Sequence, residues 1–204
     1  MAGASDRQPG ALAIERSPVA LLLIDVINTL DFDGAEELVR SSIAMAKRIA
    51  ELKARAAEAG IPSIYVNDNF GRWRSDFRAT VETCASPDQP GHEMVHLLRP
   101  TGDDYFVLKP MHSGFYETAL EVLLQRLGAR TLVLTGVAGN LCVFFTANDA
   151  HMRNYDIVVP RDCVASNSPA ENEGALRHME RYLRADVRPS AEVDLARLIQ
   201  QKAR

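Results

Sequence analysis

The run Pro18-Val-Ala-Leu-Leu-Leu-Ile-Asp25 leaves this chain few folds to choose from. Its apolar stretch, Val19 to Ile24, is far too short to cross a bilayer. An unbroken apolar run of this length matches a strand buried on both faces, which occurs where helices cover both sides of a parallel sheet. The rest of the chain alternates accordingly. Helical spacing runs from Ala35 to Ala59 and is stopped by Gly60 and Pro62. Strands are predicted at Ile61–Val66, Tyr105–Leu108, Thr131–Val137 and Asp156–Val159. Helices are predicted at Glu117–Leu127, Asn140–Arg153 and Pro169–Leu183. Val187 to Gln201 reads as a short edge strand or extended piece followed by a final helix.

This order implies right-handed crossovers and an α/β fold: three layers, α-β-α, around a mostly parallel, Rossmann-like sheet of about six strands. Residues 1–17 read as a polar N-terminal arm, and 18–204 as a single domain. Residues 67–100 break the pattern, with room for two short helical pieces. Connections of that length inside a compact domain are often functional.

Composition narrows the function. A formal net charge of −4, with both signs mixed along the chain, offers no basic footprint for nucleic acid or an anionic membrane surface. That argues against a large polyanionic partner and says little about a small substrate. The N-terminus lacks the charged-then-apolar pattern of a secretory signal, so cytoplasmic residence is expected. Cys84, Cys142 and Cys163 are widely spaced and form no CxxC pair, so each is judged as a single thiol.

In open α/β sheets, ligands bind at the carboxyl ends of the strands. Asp25, Asn67 with Asp68, Lys109, and the segment Gly136 to Cys142 all fall on that edge. Cys142 sits just inside a helix that opens after a strand. There free N–H groups favour thiolate over thiol and are preplaced to stabilise an oxyanion. The plain alternative is a small buried hydrophobe between Leu141 and Val143. Asp25 could equally cap a helix or serve as a structural hydrogen-bonding group, and Lys109 could be a solvated lysine at a strand exit. Convergence favours one site, since an acid, a cation and a thiol share a single edge. No GxGxxG, phosphate loop, GxSxG or HExxH is present, and His92 with His96 completes no zinc motif.

Three segments carry a resemblance: Leu23-Ile-Asp-Val-Ile-Asn28, Leu108-Lys-Pro-Met-His-Ser-Gly-Phe115 and Thr135-Gly-Val-Ala-Gly-Asn-Leu-Cys-Val143. Together with Ala147-Asn-Asp-Ala-His151 and Val158 to Ser166, they resemble the isochorismatase-like cysteine hydrolases. This group includes nicotinamidases, N-carbamoylsarcosine amidohydrolase and ureidoacrylate-type amidohydrolases. The resemblance spans roughly residues 18–190 and implies the isochorismatase-like hydrolase fold.

It also implies roles. Cys142 would be the nucleophile that forms an acyl-enzyme. Asp25 would be the acid that takes the thiol proton and hands it to the leaving amine, and Lys109 the cation beside them. A cis peptide is implied at Val137–Ala138, with the Ala138 and Cys142 N–H groups forming the oxyanion hole. The reaction implied is hydrolysis of a C–N bond in a small amide, ureido or carbamoyl compound. The alternatives are the same scaffold acting on an ester or vinyl ether, and a non-catalytic thiol-based binding or sensor protein.

Some residues depart from the family pattern. Ile27 stands where relatives usually carry Gln, and Gly139 where they carry Thr. Nicotinamidases have a metal-binding Asp-x-His after the second strand; here it is Asp68-Asn69-Phe70, so neither a metal nor another cofactor is expected. The pocket wall is expected from Asn67, Phe70, Trp73, Phe115, Tyr116 and Phe145, with Arg72, Arg74 and Arg78 as candidates for a substrate carboxylate. The resemblance also implies a homo-oligomer, a dimer or tetramer.

Overall fold

The computed structural model describes residues 14–71 and 76–201. Its centre is β1 (Val19–Ile24), in which every residue is buried. Successive side chains of a strand point to opposite faces, so Val19, Leu21 and Leu23 enter one apolar cluster and Ala20, Leu22 and Ile24 the other. β1 is flanked by β2 (Ser63–Asp68) and β4 (Thr131–Val137), both parallel to it. β3 (Tyr105–Lys109) extends the sheet beyond β2, and β5 (Asp156–Val158) beyond β4. The resulting order is β3-β2-β1-β4-β5, with every pairing parallel.

A sixth strand, β6 (Val164–Ala165), pairs with the carboxyl end of β4. Its two residues carry no periodicity, and the sequence predicts no strand there. Of the short edge strand or extended piece expected from Val187, the structure has the extended piece, preceded by a single bridge between Val158 and Asp186.

Helix α1 (Glu36–Glu58) covers one face through Leu38, Met45, Ile49 and Leu52. The irregular stretch before β3 contributes α2 (Phe77–Cys84) and α3 (His92–Leu97) to the same cluster, matching the two short pieces expected there. The other face is covered by α4 (Leu120–Leu127), α5 (Cys142–Met152) and α6 (Pro169–Leu183). Helix α6 starts where its sequence says it should: Ser168 accepts the Glu171 N–H, and Pro169 follows in the first turn. The last helix, α7 (Leu195–Gln200), seats Leu195 against the first cluster.

At the amino end, Ser17 is buried and its N–H donates to the Leu127 carbonyl at 2.9 Å, so the segment just before β1 is fastened to the end of α4.

This order sets the site. The strand sequence reverses direction between β1 and β4, and a crevice forms at such a switch point. Ile24 and Gly136 are register partners there, at the carboxyl ends of both strands. Gly136 has φ 109°, and a Cβ built on it would overlap the Ile24 carbonyl oxygen. The close approach of the two strand ends therefore depends on glycine at 136.

Candidate active site

Three elements bring an acid, a cation and a thiol together at this crevice. Asp25 follows β1 directly, and its N–H prolongs the ladder by donating to the Val66 carbonyl at 3.0 Å. Its backbone then turns into the left-handed region, φ 51°, which Asp tolerates better than most residues. Lys109 ends β3 opposite Asp68 in register. β3 lies two strands from β1, and the long lysine side chain crosses that gap with no exposed surface, 0%. Cys142 is the first residue of α5, a helix whose N-cap, Leu141, offers no side-chain hydrogen bond. No side chain therefore caps its opening N–H groups; Val143 N–H is taken by the Ala138 carbonyl at 3.1 Å instead.

The distances are short. Lys109 Nζ lies 2.8 Å from Asp25 Oδ2 and 3.6 Å from Cys142 Sγ. The Asp68 N–H donates to Asp25 Oδ1 at 2.6 Å, so both carboxylate oxygens are held. Of the three groups, Cys142 keeps the most surface, 8%, against 4% for Asp25 and none for Lys109.

Electrostatics follow from this burial. Loss of water pushes the Asp25 carboxyl upward, against the pull of the Lys109 charge and hydrogen bonds involving Cys142, Lys109 and Asp68. Burial alone would lower the lysine, but Asp25, Cys142 and Asp68 together hold its pKa above the ordinary value. The Cys142 thiol is pushed up to about 12, first by burial and then by the neighbouring Asp25 charge, which Lys109 only partly offsets.

These influences oppose the thiolate that the helix start favours. Burial and the Asp25 charge both favour the neutral thiol, and Lys109 opposes them. Alkylation of Cys142 by iodoacetamide is therefore expected to rise steadily with pH from 6 to 9 without levelling off. A plateau with a midpoint near 7, measured by inactivation rate, would show a preformed thiolate instead.

The loop between β4 and α5 contains a cis peptide at Val137–Ala138. The Gly139 N–H donates to the Ala165 carbonyl, Asn140 N–H to Ser166 Oγ, and Leu141 and Val143 N–H to the Ala138 carbonyl. Among the described residues, the Ala138 and Cys142 N–H groups of this loop take no acceptor.

The residues expected to wall the pocket divide. Phe145 lies one turn after Cys142 and is half exposed, its ring 5.6 Å from that of His112. Phe70 and Tyr116 are exposed. Asn67 is fully buried; its amide donates to the Ile27 carbonyl and accepts the Ile27 N–H, so it braces the turn after Asp25 rather than lining a pocket. Phe115 is buried too, beneath the Arg153 guanidinium at 4.8 Å and beside Tyr155, a core position. Ile27 is likewise core, so the apolar residue found there changes packing and not the pocket lining. Trp73, Arg72 and Arg74 lie outside the described residues, while Arg78 is exposed on α2.

Two residues lie against the triad without a role assigned from sequence. Asp68 Oδ2 lies 3.6 Å from Lys109 Nζ, giving the ammonium a second carboxylate neighbour. His112 Nδ1 lies 4.0 Å from Cys142 Sγ. Both belong to the strand ends already singled out, but only register and burial show that they face the thiol and the lysine.

Comparison with known proteins agrees with this architecture. A family model for the isochorismatase domain matches residues 19–192. The chain is 41% identical over 180 residues to the isochorismatase family protein YaaI of Bacillus subtilis strain 168, covering 88% of this chain and 98% of that protein. It is 29% identical over 203 residues to a ureidoacrylate amidohydrolase, RutB, of Methylorubrum extorquens, covering 86% of this chain and 81% of that protein. Among solved structures, N-carbamoylsarcosine amidase from Thermoplasma acidophilum superposes with a TM-score of 0.66 at 27% identity, covering 86% of this chain and 98% of that one. With its family model spanning most of the chain and a parallel sheet shared with that neighbour, the chain belongs to the isochorismatase family.

Proposed function

We propose that this protein is a cysteine hydrolase that cleaves a C–N bond in a small amide, ureido or carbamoyl compound. The observation that carries the reading is the meeting of three groups distant in sequence: Lys109 Nζ at 2.8 Å from Asp25 and 3.6 Å from the Cys142 sulfur. The relatives named for ureidoacrylate and N-carbamoylsarcosine support the substrate class.

Asp25 accepts the thiol proton as Cys142 Sγ attacks the substrate carbonyl carbon. The new oxyanion accepts hydrogen bonds from the Ala138 and Cys142 N–H groups. Asp25 then gives its proton to the departing nitrogen, the C–N bond breaks, and a thioester on Cys142 remains. Water adds to that thioester, leaving its proton on Asp25. The C–S bond then breaks and Asp25 returns that proton to the sulfur, so the acyl product departs as the carboxylic or carbamic acid and the thiol is restored. Lys109 stays charged throughout and holds the carboxylate in place, which is why a thiol of raised pKa can still be used: the proton moves as the bond forms, not before.

Phe70, Tyr116 and Phe145 are read as rim residues for substrate, and their exposed rings suit a second copy of the chain covering the site in a dimer or tetramer. Cytoplasmic residence belongs to the same reading; no helix among the described residues is long and apolar enough to cross a membrane.

The test is a panel of ureidoacrylate, N-carbamoylsarcosine and simple primary amides, assayed for released ammonia before and after iodoacetamide treatment. Turnover of at least one compound, abolished in step with Cys142 alkylation, is expected. Turnover that survives complete alkylation at Cys142 would refute the nucleophile.

A further inference from the structure

The loop that presents the Ala138 and Cys142 amides is held from outside by a chain of polar contacts. Asn140 N–H donates to Ser166 Oγ at 3.1 Å, and the Ser166 hydroxyl donates to Asn172 Oδ1 at 2.8 Å. Asn140 Nδ2 donates to Glu171 Oε2 at 2.9 Å, and the Gly139 N–H to the Ala165 carbonyl at 2.8 Å. Ser166 is buried, and Asn172 reaches it from the first turn of α6.

A hydroxyl has one proton. With that proton committed to Asn172, the lone pairs of Ser166 are turned toward the Asn140 N–H. Without Asn172, the hydroxyl is free to rotate and the Asn140 contact loses its fixed acceptor.

Gly139 explains how Asn172 fits. Unlike Gly136, it is not held in the left-handed region, so its backbone would accept any residue. What excludes a side chain is Asn172: a Cβ at 139 would overlap Asn172 Oδ1 and come within 3.3 Å of Ser166 Oγ. The glycine is there for space, and Asn172 fills that space.

We propose that Asn172 is a positioning residue for the amide loop, acting through Ser166 and Asn140, and that glycine at 139 exists to admit it. The inference rests on the proposed role of the Ala138 and Cys142 amides as oxyanion donors.

The experiment compares Asn172→Ala, Gly139→Ala and the double variant, using two probes of Cys142. Acylation by p-nitrophenyl acetate, read as a burst of p-nitrophenolate, passes through an oxyanion. Alkylation by iodoacetamide displaces iodide at a saturated carbon and does not. Removing a whole oxyanion donor costs about 10²–10³ in rate, so loosening the loop is expected to slow acylation about tenfold. Alkylation is expected to stay within about twofold. The double variant should match either single one, because a Cβ at 139 has already displaced the Asn172 side chain and the two changes remove the same contact.

Amide hydrogen exchange supplies a readout that needs no substrate: the Asn140 N–H should exchange faster in Asn172→Ala. Acylation and alkylation falling together, or Asn140 protection unchanged, would overturn the role given to Asn172. Absence of any burst from the wild-type protein would instead overturn the nucleophile reading, and the exchange of Asn140 would still decide whether Asn172 holds the loop.

Discussion

Cys142→Ala is expected to lower turnover of any productive substrate by at least about 10⁴, since removing the nucleophile of a comparable hydrolytic triad costs on the order of 10⁶. The fold should survive. The side chain is small and keeps some surface, and alanine leaves Asp25 and Lys109 paired at 2.8 Å. Substrate binding is expected to persist, measurable by calorimetry, while no covalent adduct forms.

The variant also has a pH signature. The native thiol is raised from 9.0 to about 12, so the folded state keeps its proton longer than the unfolded chain. That contribution to stability is complete below pH 9 and disappears as pH climbs toward 12. Lacking the thiol, Cys142→Ala should lose stability less steeply than wild type across that interval. Equal slopes in thermal melts would contradict the thiol's assigned environment.

The second large effect is on stability. Lys109→Met keeps the length of the side chain but removes the ammonium, leaving Asp25 buried with its charge unpaired. Breaking a buried ion pair in this way costs about 3–5 kcal/mol. The penalty has a definite sign with pH. Asp25 is already raised by burial, and losing its cation raises it further. A carboxyl raised in the folded state adds stability at low pH, where it is protonated, and loses it as pH rises through its folded value. The gap between Lys109→Met and wild type in urea unfolding should therefore be largest at pH 8 and shrink toward pH 5. A gap that widened on acidification would mean that Asp25 is stabilised in its charged form by something other than Lys109. Turnover should fall as well, because the cation that keeps Asp25 ionised beside the thiol is gone.

How much of this is legible in the sequence depends on which physical property is asked for. The run Val19 to Ile24 is apolar without interruption because β1 is covered on both faces, and that alone points to the sheet's centre. Asp25, Lys109 and Cys142 are legible because each closes or follows such a run, where a polar group is out of place unless partnered. The two-residue strand Val164–Ala165 is not, since two residues have no period, and neither is the choice between edge strand and extended piece at Val187. Asn67 reads as a polar residue at the ligand edge; only its hydrogen bonds to both Ile27 backbone groups show that its amide is already spent.

The balance of influences on the thiol is not legible in the sequence, for a more instructive reason. The helix start is visible in sequence and favours thiolate, but burial and an adjacent carboxylate act the other way, and their sum depends on distances. Asp68 and His112 belong to the same class. Their positions at strand ends are plain, while their approach to Lys109 and to the sulfur comes from register and from the turn after β3.

The proposed reaction requires a covalent bond to form at one sulfur. Acid quenching during steady-state turnover of a ureido or amide substrate, followed by mass spectrometry of the peptide that contains Cys142, tests it directly. A mass increase equal to the acyl fragment, present on that peptide and absent after Cys142→Ala, is the expected result. Steady turnover with the Cys142 peptide unmodified at every quench time, or an acyl group found on another residue, would contradict it.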